Sequence, residues 1–228
     1  MLRITGSASP SEQLFIPSGD EQLARLQDEF GHRHCLLIPR LFEPALADEI
    51  ARRVENSDFY RREHPGIGVE ACMEVNATLA WLLLLLNDQR MLEVVELITG
   101  CGPIGHFDGR VYRLEASNDH YDSWHDDLGD GRLVALSVNL GREPYEGGAL
   151  EVRDRRTGAS AEVRSARTGD ALLFELGEHL EHRVLPVTGR SARTVFAGWF
   201  KAGPSFLSVL RSSAESMTTG AAGAVAIT

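Results

Sequence analysis

The spacing of apolar residues changes character about halfway along the chain. Before residue 103 it follows a helical period. Leu23, Leu26 and Phe30 share one face of a segment that opens at Ser18-Gly-Asp-Glu and stops at Gly31. Pro44 suits the first turn of a helix reaching about Asn56, with Leu46, Ile50 and Val54 on its inner stripe. Residues 77–86 and 88–99 predict two more helices, the first apolar nearly all round, which points to core or to a homodimer contact. Cys35-Leu-Leu-Ile, closed by Pro39, predicts a short strand. Residues 57–70, with Pro65, Gly66 and Gly68, predict a loop.

Beyond residue 103 the period is extended. Residues 110–114, 133–140, 149–153, 161–164, 171–176, 182–187 and 194–200 predict short strands bounded by Gly, Asp or Pro, the pattern of a sandwich, jelly roll or barrel. Helices first and strands after predict an α+β fold, with helices packed on a β core. The expected layout is a flexible N-terminus (1–20), a helical support region (21–102) and a β core of the same domain (103–203). A Ser-, Thr-, Ala- and Gly-rich tail (204–228) is expected to be partly disordered.

Composition narrows the function classes. The chain has 228 residues, 43% of them hydrophobic and 25% charged, which is ordinary globular usage. Its net charge of −10 argues against a nucleic-acid partner, which needs a clustered basic face. Cys35, Cys72 and Cys101 are widely spaced and form no C-x-x-C pair, so a reducing, cytoplasmic setting is expected. No apolar run approaches the ~20 residues of a membrane helix, and no signal-like stretch opens the chain. No membrane partner is expected.

The candidate chemistry lies among the strands. Trp124-His125-Asp126-Asp127 precedes one strand, and His182 opens another. In an extended segment residues i and i+2 share a face, so His125 and Asp127 are placed to bind one ion with a distant His. Two imidazoles and one carboxylate are the donor set of a mononuclear non-haem Fe(II) site. A lone His-x-Asp is also common in solvated loops. A second one, His120-Tyr121-Asp122, stands five residues earlier, and His179 lies close to His182. Arg153, Arg155 and Arg156 form a small basic cluster, read as a solvated face or a contact for an acidic substrate.

The motifs also occur in a characteristic order. His125-x-Asp127 is followed by Gly131-Arg-Leu-Val-Ala-Leu-Ser-Val-Asn-Leu and Tyr145-Glu-Gly-Gly-Ala-Leu. Then come Thr168-Gly-Asp-Ala-Leu-Leu-Phe, His182-Arg-Val-Leu-Pro-Val and Arg193-Thr-Val-Phe-Ala-Gly-Trp-Phe. Over about residues 88–201 this resembles the Fe(II)/2-oxoglutarate dioxygenases, most closely their prolyl-4-hydroxylase-like branch. The resemblance implies a double-stranded β-helix (jelly-roll) core, dependence on Fe(II), 2-oxoglutarate and O2, and hydroxylation of an unactivated C–H with succinate and CO2 as co-products. It implies His125, Asp127 and His182 as iron ligands and catalytic centre. It favours His125 over His120, because the Arg-and-apolar strand follows closely, and His182 over His179, because Val-x-Pro-Val follows. Arg193 matches the arginine that grips the cosubstrate's C5 carboxylate, where a guanidinium fork pairs with both oxygens. Arg190 falls in the turn before that strand. Tyr112 and Asn139 occupy positions of further cosubstrate contacts, although a core tyrosine is an equal reading of Tyr112. Arg113 should face away from Tyr112. Related halogenases have a small residue in place of the carboxylate, so Asp127 favours oxygenation.

The implied substrate is a small molecule or peptide, namely an amino-acid or peptidyl side chain or a natural-product intermediate. Loops at 57–76 and 115–124 are expected to select it, with His120 near the mouth. A non-catalytic cupin-like metal-binding module could share the strands, but it would not need Arg193 with Trp199-Phe200 behind it.

Overall fold

The computed structural model describes residues 2–5, 14–15, 20–116 and 119–222. In chain order the elements begin β1 (Arg3–Ile4), β2 (Leu14–Phe15), α1 (Asp20–Arg33), β3 (Cys35–Ile38), α2 (Pro44–Glu55), β4 (Phe59–His64) and β5 (Gly68–Met73). Two helices follow, α3 (Ala77–Leu86) and α4 (Gln89–Thr99), and then β6 (His106–Leu114), β7 (Tyr121–Asp122), β8 (Arg132–Asn139) and β9 (Leu150–Asp154). The last elements are β10 (Ser160–Val163), β11 (Ala171–Glu175), β12 (Leu180–Val184), β13 (Arg193–Lys201) and α5 (Phe206–Ala222).

The helix ends follow local chemistry. Pro44 fills the first turn of α2, where its missing N–H costs nothing. Asn76 caps α3 by accepting from the amides of Thr78 and Leu79, Asp88 caps α4, and Gly100 closes α4 in the left-handed region.

An eight-stranded antiparallel sheet runs β3-β11-β8-β13-β6-β5-β4, with β7 beside β5, and a smaller sheet runs β10-β9-β12. The pleat divides its side chains. Val134, Leu136, Val138, Phe196 and Phe200 pack with the helices, including Ile50 of α2, Leu82 of α3 and Val95 of α4. The opposite, concave face meets the small sheet, where Ala135, Leu172 and Phe174 pack with Leu150 and Val152. This is the double-stranded β-helix that the resemblance implies, within the sandwich, jelly-roll or barrel class that the strand pattern predicts. It opens into a cavity of about 500 Å³ at one end of the concave face.

Several expectations need correction. Residues 57–70 form the hairpin β4–β5, turning at Pro65-Gly66, where Ile67 N–H donates to His64 O. Phe59-Tyr-Arg-Arg-Glu-His looked like loop because an edge strand facing solvent and a polar cavity needs no apolar alternation. β3, β4 and β5 all join the large sheet, so residue 102 does not divide helices from strands. At the expected flexible N-terminus, Leu2 and Ile4 are buried in the core and β1 pairs with β2; most of the rest of 1–20 lies outside the described residues. The expected loose tail contains α5, built from the helix formers Leu, Arg, Ala and Glu, and 223–228 lie outside the described residues. Of α3, Leu79, Leu82 and Leu86 are buried while Leu84 is exposed. Among the described residues no helix is long and apolar enough to cross a membrane.

Gly109 and Gly198 face each other across β6 and β13, beneath the cavity. A Cβ on Gly198 would lie 2.1 Å from Asp108 O, and one on Gly109 would lie 2.7 Å from Ala197 O. Gly198→Ala must therefore push apart two strands clamped by Phe107, Phe196 and Phe200. Urea unfolding should show a loss of about 1–3 kcal/mol; an unchanged midpoint would mean that the strands are not packed this closely.

Candidate metal centre and its cavity

Two backbone hydrogen bonds bring the histidines together. His125 N–H donates to His182 O at 3.1 Å and His182 N–H donates to His125 O at 2.9 Å, an isolated antiparallel bridge. Their rings stand side by side, with centroids 4.3 Å apart. His125 Nδ1 lies 2.7 Å from Ser123 O, which fixes it as the N–H and leaves Nε2 bare. Asp127 Oδ2 is 3.6 Å from that Nε2 and 3.3 Å from His182 Nε2. One donor atom from each residue falls within 4.8 Å of the other two.

The route to this arrangement differs from the extended i, i+2 reading. Residues 126–129 are not a strand, and Asp127 adopts φ 56°, in the left-handed region. The bend returns the carboxylate toward both imidazoles. Asp and Asn tolerate this conformation better than other non-glycine residues.

The carboxylate is fixed from behind. Trp199 Nε1–H donates to Oδ2 at 3.0 Å, Arg132 Nη1 donates to Oδ1 at 3.2 Å, and the Arg132 guanidinium lies 3.7 Å over the Trp199 ring. Burial alone would raise the Asp127 pKa, but hydrogen bonds and charge from His125 and His182 hold it far below the usual carboxylate range. Burial likewise disfavours the charged His125, yet Asp127 and Asp122 outweigh it and raise its pKa to about 9. Both shifts belong to a carboxylate between two imidazoles with no cation among them.

Trp124 and Asp122 tie down the His125 segment. The Trp124 ring is stacked by Arg153 at 4.0 Å and Arg183 at 4.5 Å, and these pair with Glu181 and Glu151. Asp122 accepts from Val184 N–H at 2.7 Å and lies 3.6 Å from His125 Nδ1. The basic cluster is thus internally paired: Arg153 and Arg155 meet Glu181, and Arg156 meets Asp154.

Arg193 lines the same cavity at 4% exposure. Its Nη2 donates to Ser137 Oγ at 3.3 Å, its Nε has no partner, and no carboxylate faces it within ion-pair distance among the described residues. A buried guanidinium left this way is costly unless an anion joins it. Arg190 is exposed and borders a separate groove. Tyr112 lines the cavity, its hydroxyl 3.4 Å from Arg62, and burial followed by the Glu70 charge raises its pKa. Arg113 faces the other way, over Phe59, as expected.

Asn139 is not brought to this group. It does not line the cavity: its amide donates to Ser165 O and accepts from Gly141 N–H, so the turn after β8 consumes it. His120 also lies outside the cavity lining and takes the Glu115 N–H, whereas its neighbours Tyr121 and Asp122 do line the cavity. His179 stands beside His34, away from the triad. Sequence reasoning missed Arg132, Trp199 and Asp122 as supports. Arg132 and Trp199 lay inside the quoted motifs, but nothing in the spacing reveals that they converge on Asp127.

With this geometry in hand, known proteins place the chain. Among solved structures it resembles a prolyl-4-hydroxylase from Pseudomonas putida (17% identity, 80% of this chain and 100% of that one, TM-score 0.61). It also resembles a prolyl hydroxylase from Trichoplax adhaerens, in complex with a hypoxia inducible factor oxygen degradation domain peptide fragment (14% identity, 81% and 94%, TM-score 0.62). A third is the epimerase SnoN in complex with Fe3+, alpha ketoglutarate and nogalamycin RO (15% identity, 79% and 83%, TM-score 0.57). These likenesses define the fold as the double-stranded β-helix of prolyl-4-hydroxylase-like enzymes. Within the sequence, residues 109–201 match the model of the 2OG-Fe(II) oxygenase superfamily. No curated protein matches the chain.

Glu70, on the cavity wall, yields a prediction. Burial, reinforced by Asp122 and opposed by Arg62, Arg193 and His125, raises its pKa from 4.5 to about 7. The folded state therefore holds a proton that the unfolded chain releases, and stability falls as pH rises from about 4.5 through 7. Glu70→Gln keeps a partner for His64, 3.1 Å away, and removes the titration. Urea unfolding should find the variant about 1–3 kcal/mol more stable than wild type at pH 8 and nearly equal at pH 4. A less stable variant at pH 8 would mean that the charged form is favoured here.

Proposed function

We propose that this chain is an Fe(II)- and 2-oxoglutarate-dependent oxygenase that hydroxylates an unactivated C–H of an amino-acid, peptidyl or natural-product substrate, with His125, Asp127 and His182 as its iron ligands and Arg193 as the grip on 2-oxoglutarate. The observation that carries the reading is the meeting, in one cavity, of a facial two-imidazole, one-carboxylate donor set and a buried guanidinium with an unpaired Nε. The donor set suits Fe(II), because three protein ligands on one side leave the cavity side open. The guanidinium suits a dicarboxylate, because it needs an anion that the chain does not provide. Bound together, Fe(II), 2-oxoglutarate and O2 supply oxidation of a substrate C–H, with succinate and CO2 as co-products.

The chain's own residues do the rest. His125 presents Nε2 because Ser123 O holds Nδ1–H, and Asp127 stays ionised between the imidazoles while Trp199 and Arg132 fix its rotamer. Ser137 orients the Arg193 fork from the neighbouring strand. Phe174 lies against His182, with ring centroids 4.8 Å apart, and keeps water from that ligand's flank. Tyr112 and the β4–β5 hairpin form one wall of the cavity. The carboxylate at position 127 leaves no vacant ligand site for halide, which supports oxygenation over halogenation.

Anaerobic addition of Fe(II) and 2-oxoglutarate should produce a weak visible band near ~500 nm, the mark of a bidentate oxo-acid on such an iron. His125→Ala, Asp127→Ala and His182→Ala should each remove the band while circular dichroism stays native. His120→Ala should keep it. A folded wild type without the band would favour a non-catalytic binding module.

Arg193→Lys keeps charge but loses the fork. The apparent 2-oxoglutarate KM should rise by about 10-fold or more, with Arg190→Lys unchanged; the reverse result would move the anion grip to Arg190.

A further inference from the structure

The wall of the cavity on β4, β5 and β6 carries charges that neither the triad nor Arg193 uses. Register places Arg62 opposite Glu70 and Cys72 opposite Tyr112, and Arg110 precedes Tyr112 by two residues on the same face. Arg62, Glu70, Arg110 and Tyr112 all line the cavity. The carboxylates around them already have partners. Asp127 has Arg132 and Trp199, Asp122 has Val184 N–H, Glu70 has His64 at 3.1 Å, and Asp108 lies 4.0 Å from Lys201.

The cations are not matched in the same way. Arg62 reaches only the Tyr112 hydroxyl at 3.4 Å and Cys72 Sγ at 4.0 Å. Among the described residues the Arg110 side chain makes no hydrogen bond or ion pair, and neither guanidinium has a carboxylate oxygen within 4.0 Å. Both are half-buried, and both bear electrostatically on the phenols of Tyr60 and Tyr112. Two half-buried guanidiniums beside a phenol, in the cavity that holds the triad, form a donor cluster short of an acceptor.

We infer that Arg62 and Arg110, with the Tyr112 hydroxyl, form an oxyanion subsite for the primary substrate, which therefore carries a carboxylate or phosphate held apart from the C–H presented to the triad. The inference rests on the oxygenase reading above. It assigns Arg193 and this pair to different anions, cosubstrate and substrate.

The test uses the full chain loaded anaerobically with Fe(II) and 2-oxoglutarate, titrated calorimetrically with N-acetylglycine, N-acetylglycinamide and inorganic phosphate. At least one of the two anions should bind, more weakly as salt rises, and the uncharged amide should not. N-acetylglycine against phosphate decides which oxyanion the subsite takes. Arg62→Gln and Arg110→Gln should each weaken anion binding about 10-fold or more, while the 2-oxoglutarate concentration that half-develops the visible band changes less than about 3-fold. The subsite is overturned if amide and acid bind alike, if neither anion binds, or if the variants bind as wild type does. It is equally overturned if the variants lose the band instead, since the guanidiniums would then serve the cosubstrate. A wild type that never shows the band defeats the oxygenase reading, a different failure.

Discussion

The two backbone hydrogen bonds between His125 and His182 join the loop after β7 to the middle of β12, and the imidazole positions follow from them. This pairing sets two like donors side by side. It also closes a space in which the Asp127 carboxylate stands against both rings and Asp122 flanks His125, and the electrostatics follow from that enclosure. A buried carboxylate is costly, and here two N–H donors and two imidazoles offset the cost. The histidine strand is held from outside as well, by the Trp124 ring between Arg153 and Arg183.

The large sheet solves a different problem. Its convex face is an ordinary apolar surface that buries helices, which leaves the concave face free to be polar toward one end. Apolar residues such as Ala135, Leu172 and Phe174 seal the closed part of that face. Arg62, Glu70, Arg110, Tyr112 and Arg193 crowd the open part. Gly109 and Gly198 let β6 and β13 approach closely at the floor between these regions. The cavity is thus a charged enclosure whose anions are largely satisfied internally, whereas the guanidiniums of Arg62, Arg110 and Arg193 meet no carboxylate within ion-pair distance among the described residues.

Much of this was legible in the sequence because it rests on short-range pattern. All seven expected strands after residue 103 are present, and β8 reads as a near-continuous apolar run because both of its faces are covered. His125, Asp127, His182 and Arg193 sit in short motifs whose order is read directly along the chain. What was not legible depends on three-dimensional convergence or on polar strands. The β4 strand lacks apolar alternation because, as an edge, it is shared between solvent and a charged cavity. Asn139 sits in a strand that reads as cosubstrate-facing, yet it lies at the strand's last position, where the turn to Gly141 and Ser165 claims its amide. Leu2 and Ile4 are too few to announce a strand, and only the space beside α2 gives them a reason to be buried.

The left-handed bend at Asp127 has a consequence for which residues this loop can accept. The backbone turn and the negative charge reside in the same amino acid, so they cannot be varied separately. Glutamate would carry the charge, but it resists this conformation and its longer arm would overshoot the imidazoles. Asparagine would make the bend and give up the charge, and glycine would make it with no donor at all. A nearby flexible residue cannot share the task, because Gly129 lies beyond the point where the chain must reverse. The loop's shape thus acts as a filter on side-chain length, and aspartate is the one carboxylate short enough to pass it.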